Sequence, residues 1–101
     1  MKRTIIRYRT HPERAEENAR LIAAVFQELA AQSLDGVRYM ALRLQDDTFV
    51  HIVENAGGGP SPLTQLSAFR AFQAGIAERC LEAPRAAEAT VVGAYRMLGT
   101  T

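Results

Sequence analysis

At 101 residues, 48% apolar and 23% charged, the chain has the size and composition of one globular domain spanning 1–101. Its formal charge of +1 gives no electrostatic footprint for nucleic acid or an anionic membrane. No apolar run approaches the ~20 residues of a spanning helix, and a lone cysteine, Cys80, excludes an internal disulfide.

The N-terminus, MKRTIIRYRT, has charge but no apolar run after it, so no signal peptide is expected. With the single thiol, this points to a reducing cytoplasm. A chain this short buries only about 60 to 70% of its unfolded surface, and docking to a second copy would relieve that.

In chain order, Arg3–Arg9 alternates and predicts a first strand, with Ile6 and Tyr8 on one face and Ile5, Arg7 and Arg9 on the other. Thr10 and Glu13 have the spacing of a capping box, and Pro12 suits a first turn. The helix they start runs to about Gln32. Its buried stripe is Ala15, Asn18, Ala19, Ile22, Val25, Phe26 and Leu29, with Glu28 among the solvated charges. Asp35-Gly36 closes the connection.

The stretch Gly36–Asn55, GVRYMALRLQDDTFVHIVEN, organises the chain: two alternating runs rich in strand-forming residues around Asp46-Asp47. A two-residue Asp-Asp turn between strands Val37–Leu44 and Thr48–Asn55 sets Leu44 opposite Phe49, Leu42 opposite His51 and Met40 opposite Val53. The other face then carries Tyr39, Ala41, Arg43, Val50, Ile52 and Glu54. Ala56–Pro62 is a loop. A second helix extends from Pro62 or Leu66 to Arg79 on a stripe of Leu66, Phe69, Phe72 and Ile76. Leu81–Ala87 is a return loop, and Glu88–Leu98 the last strand, with Gly93 marking a bulge or a close backbone approach.

Strand, helix, strand, strand, helix, strand is an α+β, ferredoxin-like order. Right-handed crossovers give a four-stranded antiparallel sheet with strands one and three central and both helices on one face. The other face stays bare. A symmetric homodimer through that face is the simplest cover.

Several pieces resemble the antibiotic-biosynthesis-monooxygenase-like group of the dimeric α+β barrel proteins. They are Arg7-Tyr8-Arg9 before a long helix, Gly36–Leu44, Asp46-Asp47 followed by TFVHIVE, and Phe69-x-x-Phe72 with a final hydrophobic strand. The resemblance implies the fold, a cavity, and membership in a group that includes cofactor-independent oxygenases of polyphenols and haem-degrading enzymes. Relatives often carry Trp just after the strand-three glutamate; here Asn55 follows Glu54. The second helix lacks the iron-binding histidine of the haem degraders, and the first strand lacks their asparagine. Their catalytic sets therefore do not carry over.

His51 is the one histidine within an expected strand. It reads either as a general base or as a core residue bonded to a neighbour. Tyr39, Tyr8 and Tyr95 are candidate hydrogen-bond donors whose plainer role is packing. Arg7, Arg43 and Glu54 read as a buried ion pair or as a polar floor that orients an acidic or phenolic ligand. His11 belongs to the helix start, and Cys80, near a helix C-terminus, is structural. One cysteine and two separated histidines make no metal motif, and no cofactor is expected. GGGPSP lacks a phosphate-binding pattern and reads as a flap over a cavity. Strand three lacks the basic-aromatic motif of RNA-recognition domains.

Two functions follow as expectations. One is a small oxygenase in which dioxygen attacks a phenolic or aromatic ligand without a protein-bound metal or flavin, with His51 or Tyr39 assisting deprotonation and Arg43 and Arg7 steadying the anion. The other is a non-catalytic dimeric module that holds a small ligand or none.

Overall fold

The computed structural model of the protein describes residues 2–57 and 61–97. The end of the expected last strand, Leu98, and residues 58–60 of the expected flap lie outside them. The elements are β1 (Lys2–Thr10), α1 (Ala15–Gln32), β2 (Val37–Arg43), β3 (Thr48–Asn55), α2 (Ser67–Gln73), α3 (Ile76–Arg79) and β4 (Cys80–Glu88). Single 3-10 turns at Pro12–Arg14 and Pro62–Gln65 lead into α1 and α2.

The sheet order is β2-β3-β1-β4, and every pair is antiparallel. This is the ferredoxin-like α+β arrangement expected, with β1 and β3 in the middle. β1 alternates as anticipated: Tyr8 is buried while Arg7 is exposed. The stripe of α1 buries Ala15, Asn18, Ile22 and Val25. With Leu63, Leu66 and Phe72, these residues cover the β-sheet face that carries Tyr8, Phe49 and Val53. Among the described residues no helix is long and apolar enough to cross a membrane.

The hairpin register differs by one residue from the expected one. Arg43 lies opposite Phe49, Ala41 opposite His51 and Tyr39 opposite Val53. A two-residue turn wants positive φ at both central positions, which glycine or asparagine supplies. Here the loop takes a third residue. The Asp47 N–H donates to Leu44 O, Asp47 adopts φ 64, and the Asp46 carboxylate accepts from the Thr48 N–H. That one residue turns Tyr39, Ala41 and Arg43 toward the helices and sends Met40 and Leu42 to the open face.

The second half of the chain departs further. The expected return loop is itself a strand, β4, and no strand forms over 89–97. Pro84 lies within it, and β4 is an edge strand whose pairing with β1 is irregular between Arg7 and Arg9. A proline without an N–H fits such a place. The expected second helix is broken at Gly75, whose φ of 79 is left-handed, a conformation glycine adopts without steric cost.

At the first helix no capping box forms. β1 runs on through Thr10, whose buried hydroxyl has no partner, and His11 occupies the cap position without a side-chain bond. Glu28, expected in solvent, instead accepts from the Ala68 N–H at 2.8 Å. It satisfies a free donor in the first turn of α2.

Candidate functional site

Three strands and two helices place five polar side chains in one line. β1 contributes Tyr8, β3 His51 and β2 Tyr39. The corrected register makes this possible, because His51 sits opposite Ile6 on one side and Ala41 on the other. Tyr8, two residues after Ile6, and Tyr39, two residues before Ala41, therefore reach the two edges of its ring. α1 contributes Asn18 from its buried stripe, and α3 contributes Arg79, which the turn at Gly75 aims back under the sheet.

The Tyr8 hydroxyl is hydrogen-bonded to His51 Nε2 at 2.8 Å, and the Tyr39 hydroxyl to His51 Nδ1 at 2.5 Å. Asn18 Nδ2 donates to the Tyr8 oxygen at 2.9 Å, and Arg79 Nε donates to Asn18 Oδ1 at 3.0 Å. The line runs Arg79–Asn18–Tyr8–His51–Tyr39. Neighbouring rings pack on its aromatic members: Phe26 stacks on Tyr39 with centroids 4.7 Å apart, and Phe72 lies tilted to His51 at 5.4 Å.

A cavity of about 320 Å³ opens where this line ends. Its walls are apolar: Ile6 and Val53 from the sheet, Phe69, Phe72 and Ile76 from α2 and α3. Tyr39, His51, Tyr8 and Gln73 supply its polar groups. A mostly apolar pocket with a few convergent polar groups is the usual form of a small-molecule site.

Burial sets the protonation states. His51, 3% exposed, has its pKa pushed down to about 4 by desolvation, so the ring is neutral near pH 7. Desolvation raises both tyrosines above the usual phenol value. For Tyr8 the Asn18 hydrogen bond partly opposes this; for Tyr39 the neighbouring Tyr8 adds to it. Both hydroxyls keep their protons.

Of the residues singled out from sequence, the structure brings together His51, Tyr39 and Tyr8. It leaves Arg7, Arg43 and Glu54 outside the cavity. The register shift puts Arg43 and Glu54 on opposite faces, so the polar floor expected from them is not built. Arg43 bonds to Glu16 at 2.9 Å and Asp47 at 2.8 Å. Glu54 is paired with Arg3 on the open face. Arg7 is exposed there, opposite Arg85. Cys80 opens β4, and burial raises its thiol pKa; it does not line the cavity. Among the described residues, no three His, Cys, Asp or Glu side chains gather as metal ligands.

Asn18 and Arg79 were not foreseen as site residues. Asn18 carried a signal, being the one polar member of an otherwise apolar stripe. Arg79 carried none, since a basic residue ending a helix is ordinarily solvated.

No family model and no curated protein matches the chain. Solved structures do, at the level of the fold. A protein from Nitrosomonas europaea described as a "putative antibiotic biosynthesis monooxygenase" superposes with a TM-score of 0.75 at 12% identity. The match covers 92% of this chain and 100% of that one. A protein of the same description from Caulobacter crescentus gives 0.67 at 13% identity, over 91% and 90%. A conserved protein from Methanosarcina mazei gives 0.71 at 13% identity, over 87% and 89%. The resemblance read from the sequence holds as a shared fold.

The neutral His51 ties stability to pH. Its folded pKa lies below the 6.5 of the unfolded chain. Unfolding therefore takes up a proton between about pH 6.5 and pH 4, and stability falls as pH falls through that window. The full loss is on the order of 3 kcal/mol. Urea unfolding at pH 7.5 and pH 4.5 should show most of it in the wild type and little in His51→Gln. Equal pH sensitivity of the two would contradict a buried neutral imidazole.

Proposed function

We propose that the cavity binds a small phenolic or aromatic molecule and that the chain acts on it as an oxygenase of the kind its structural neighbours are described as. The observation that carries this reading is the cavity itself: aromatic and aliphatic walls around a Tyr39 hydroxyl held by a neutral histidine. The walls suit an aromatic ring, and the hydroxyl suits the oxygen on it.

A hydroquinone-type phenol is electron-rich enough, once it has lost its hydroxyl proton to solvent, to reduce dioxygen without a metal or flavin from the protein. One oxygen atom replaces a ring hydrogen and the other leaves as water. The ring gives up four electrons, dioxygen takes four, and hydroquinone becomes the hydroxyquinone. The contribution of the protein is to exclude water and to meet the phenolate with the Tyr39 hydroxyl, a fixed dipole where negative charge is held. His51 orients Tyr39; at a pKa of about 4 it is too weak a base to take the phenol proton at neutral pH. Arg43 and Arg7 lie too far round the fold to steady the anion, so that expectation is set aside.

The same low basicity favours a second reading, a binding module without catalysis. Oxygen uptake separates the two. With hydroquinone-type phenols the wild type should consume oxygen above the buffer rate, and Tyr39→Phe should lower that rate by about 10²-fold. Uptake no faster than buffer would leave the binding module and remove the oxygenase.

A second copy is proposed to cover the open sheet face. Ile5, Met40, Val50 and Ile52 are only half-buried there, and Leu42 is 44% exposed. Beyond β4, Val92 is 100% and Tyr95 77% exposed. An apolar strip of this kind on a chain of 101 residues marks an interaction surface. Light scattering at micromolar concentration should give about 22 kDa, twice the 11.1 kDa chain. A stable folded species at the mass of one chain would contradict it.

A further inference from the structure

The five-residue polar line has a chemical direction. Arg79 is a donor only, and its Nε–H points at Asn18, so Asn18 must present its carbonyl oxygen there, at 3.0 Å. The other end of the same amide is then its NH2, which donates to the Tyr8 oxygen at 2.9 Å. Tyr8, 2% exposed, still has its own hydrogen to place. Among the described residues its remaining partner is His51 Nε2.

A neutral imidazole carries one N–H. If Nε2 accepts from Tyr8, the proton sits on Nδ1 and is donated to the Tyr39 oxygen at 2.5 Å. The opposite tautomer strands the buried Tyr8 hydrogen without an acceptor, and leaving a buried donor unmade is the costly alternative. Tyr39 then ends the line with its own hydrogen unclaimed by any described residue and its side chain on the cavity wall.

We propose that Arg79 and Asn18 are positioning residues that fix His51 as the Nδ1–H tautomer and so make Tyr39 a hydrogen-bond donor into the cavity, selecting ligands that present an acceptor oxygen, a carbonyl or a phenolate, over ligands that present only a donor. The selectivity rests on the binding role proposed for the cavity; the tautomer does not.

The line can be reversed by one isosteric change. In Asn18→Asp the carboxylate accepts from both Arg79 and Tyr8. The Tyr8 oxygen must then accept from Nε2–H, Nδ1 accepts from Tyr39, and the Tyr39 oxygen faces the cavity as an acceptor. Long-range proton–nitrogen NMR of the ligand-free protein reads the tautomer directly. The wild type should show a pyrrole-type Nδ1 and a pyridine-type Nε2, and Asn18→Asp the exchange of the two. A merely structural role for Asn18 would not exchange them.

Ligand titration reads the consequence, with acetophenone as the acceptor-only probe and indole as the donor-only probe. The wild type should bind acetophenone about tenfold more tightly relative to indole, the factor one ordinary hydrogen bond supplies. Asn18→Asp should reverse the order, and Tyr39→Phe should abolish the preference. If Asn18→Asp does not fold, the wild-type tautomer and the Tyr39→Phe comparison still decide. A wild-type His51 protonated on Nε2 overturns the proposal. An Nδ1–H histidine with equal affinities overturns the selectivity. An Nδ1–H histidine in a protein that binds neither probe overturns the binding role of the cavity and the selectivity with it.

Discussion

A guanidinium buried to 2% exposure is the constraint from which the rest of the site follows. Among the described residues Arg79 forms no ion pair with a carboxylate. Its donors are taken instead by Asn18 Oδ1, by Ala74 O at 3.2 Å and by Phe72 O at 2.5 Å, with the charge 5.4 Å from the Phe72 ring centre. Burying a charge is tolerable only when its hydrogen bonds are made. Here the partners come from α1 and from the free carbonyls at the end of α2, so one side chain ties α3 to both. The turn at Gly75 is what lets Arg79 fold back to reach them. Phe69, Phe72 and Ile76 of α2 and α3 form one wall of the cavity, and Ile6 and Val53 of the sheet form the other.

Much of this was legible in the sequence, and the reasons for success and failure differ by residue. The period-two runs and the three-four stripe identified β1, α1, β2 and β3, because burying one face leaves a strong pattern. His51 and Tyr39 stood out as polar groups in apolar strands, and the structure places them side by side. The turn at Asp46-Asp47 was harder: two aspartates do not specify a loop length, and one residue of error moved Tyr39 to the wrong face and paired Arg43 with Glu54 across a face they do not share. β4 was hidden by Pro84, and its expected place was taken by the β-branched run after Glu88, where propensity meets no partner strand among the described residues. Arg79 could not be read as a core residue, since only the break at Gly75 turns it inward.

The structural neighbours share this fold at identities of 12 to 13%, so what is common to them is the arrangement of elements. The oxygenase reading draws on that arrangement and on an apolar cavity whose polar end is a hydroxyl rather than a charge. Such an end suits an aromatic oxygen without requiring a buried counter-ion, and its neutrality follows from the desolvation of Tyr39 itself. The polar line behind it spends no charge at the cavity; the only formal charge in it, Arg79, is kept at the far end.

The most direct measurement is a crystal structure of the protein with 1-naphthol bound under nitrogen. The ring should lie among Val53, Phe69 and Ile76, with its oxygen within hydrogen-bond distance of Tyr39 Oη. A saturated crystal with the cavity closed by its own side chains, or with the naphthol oxygen turned away from Tyr39, would contradict it.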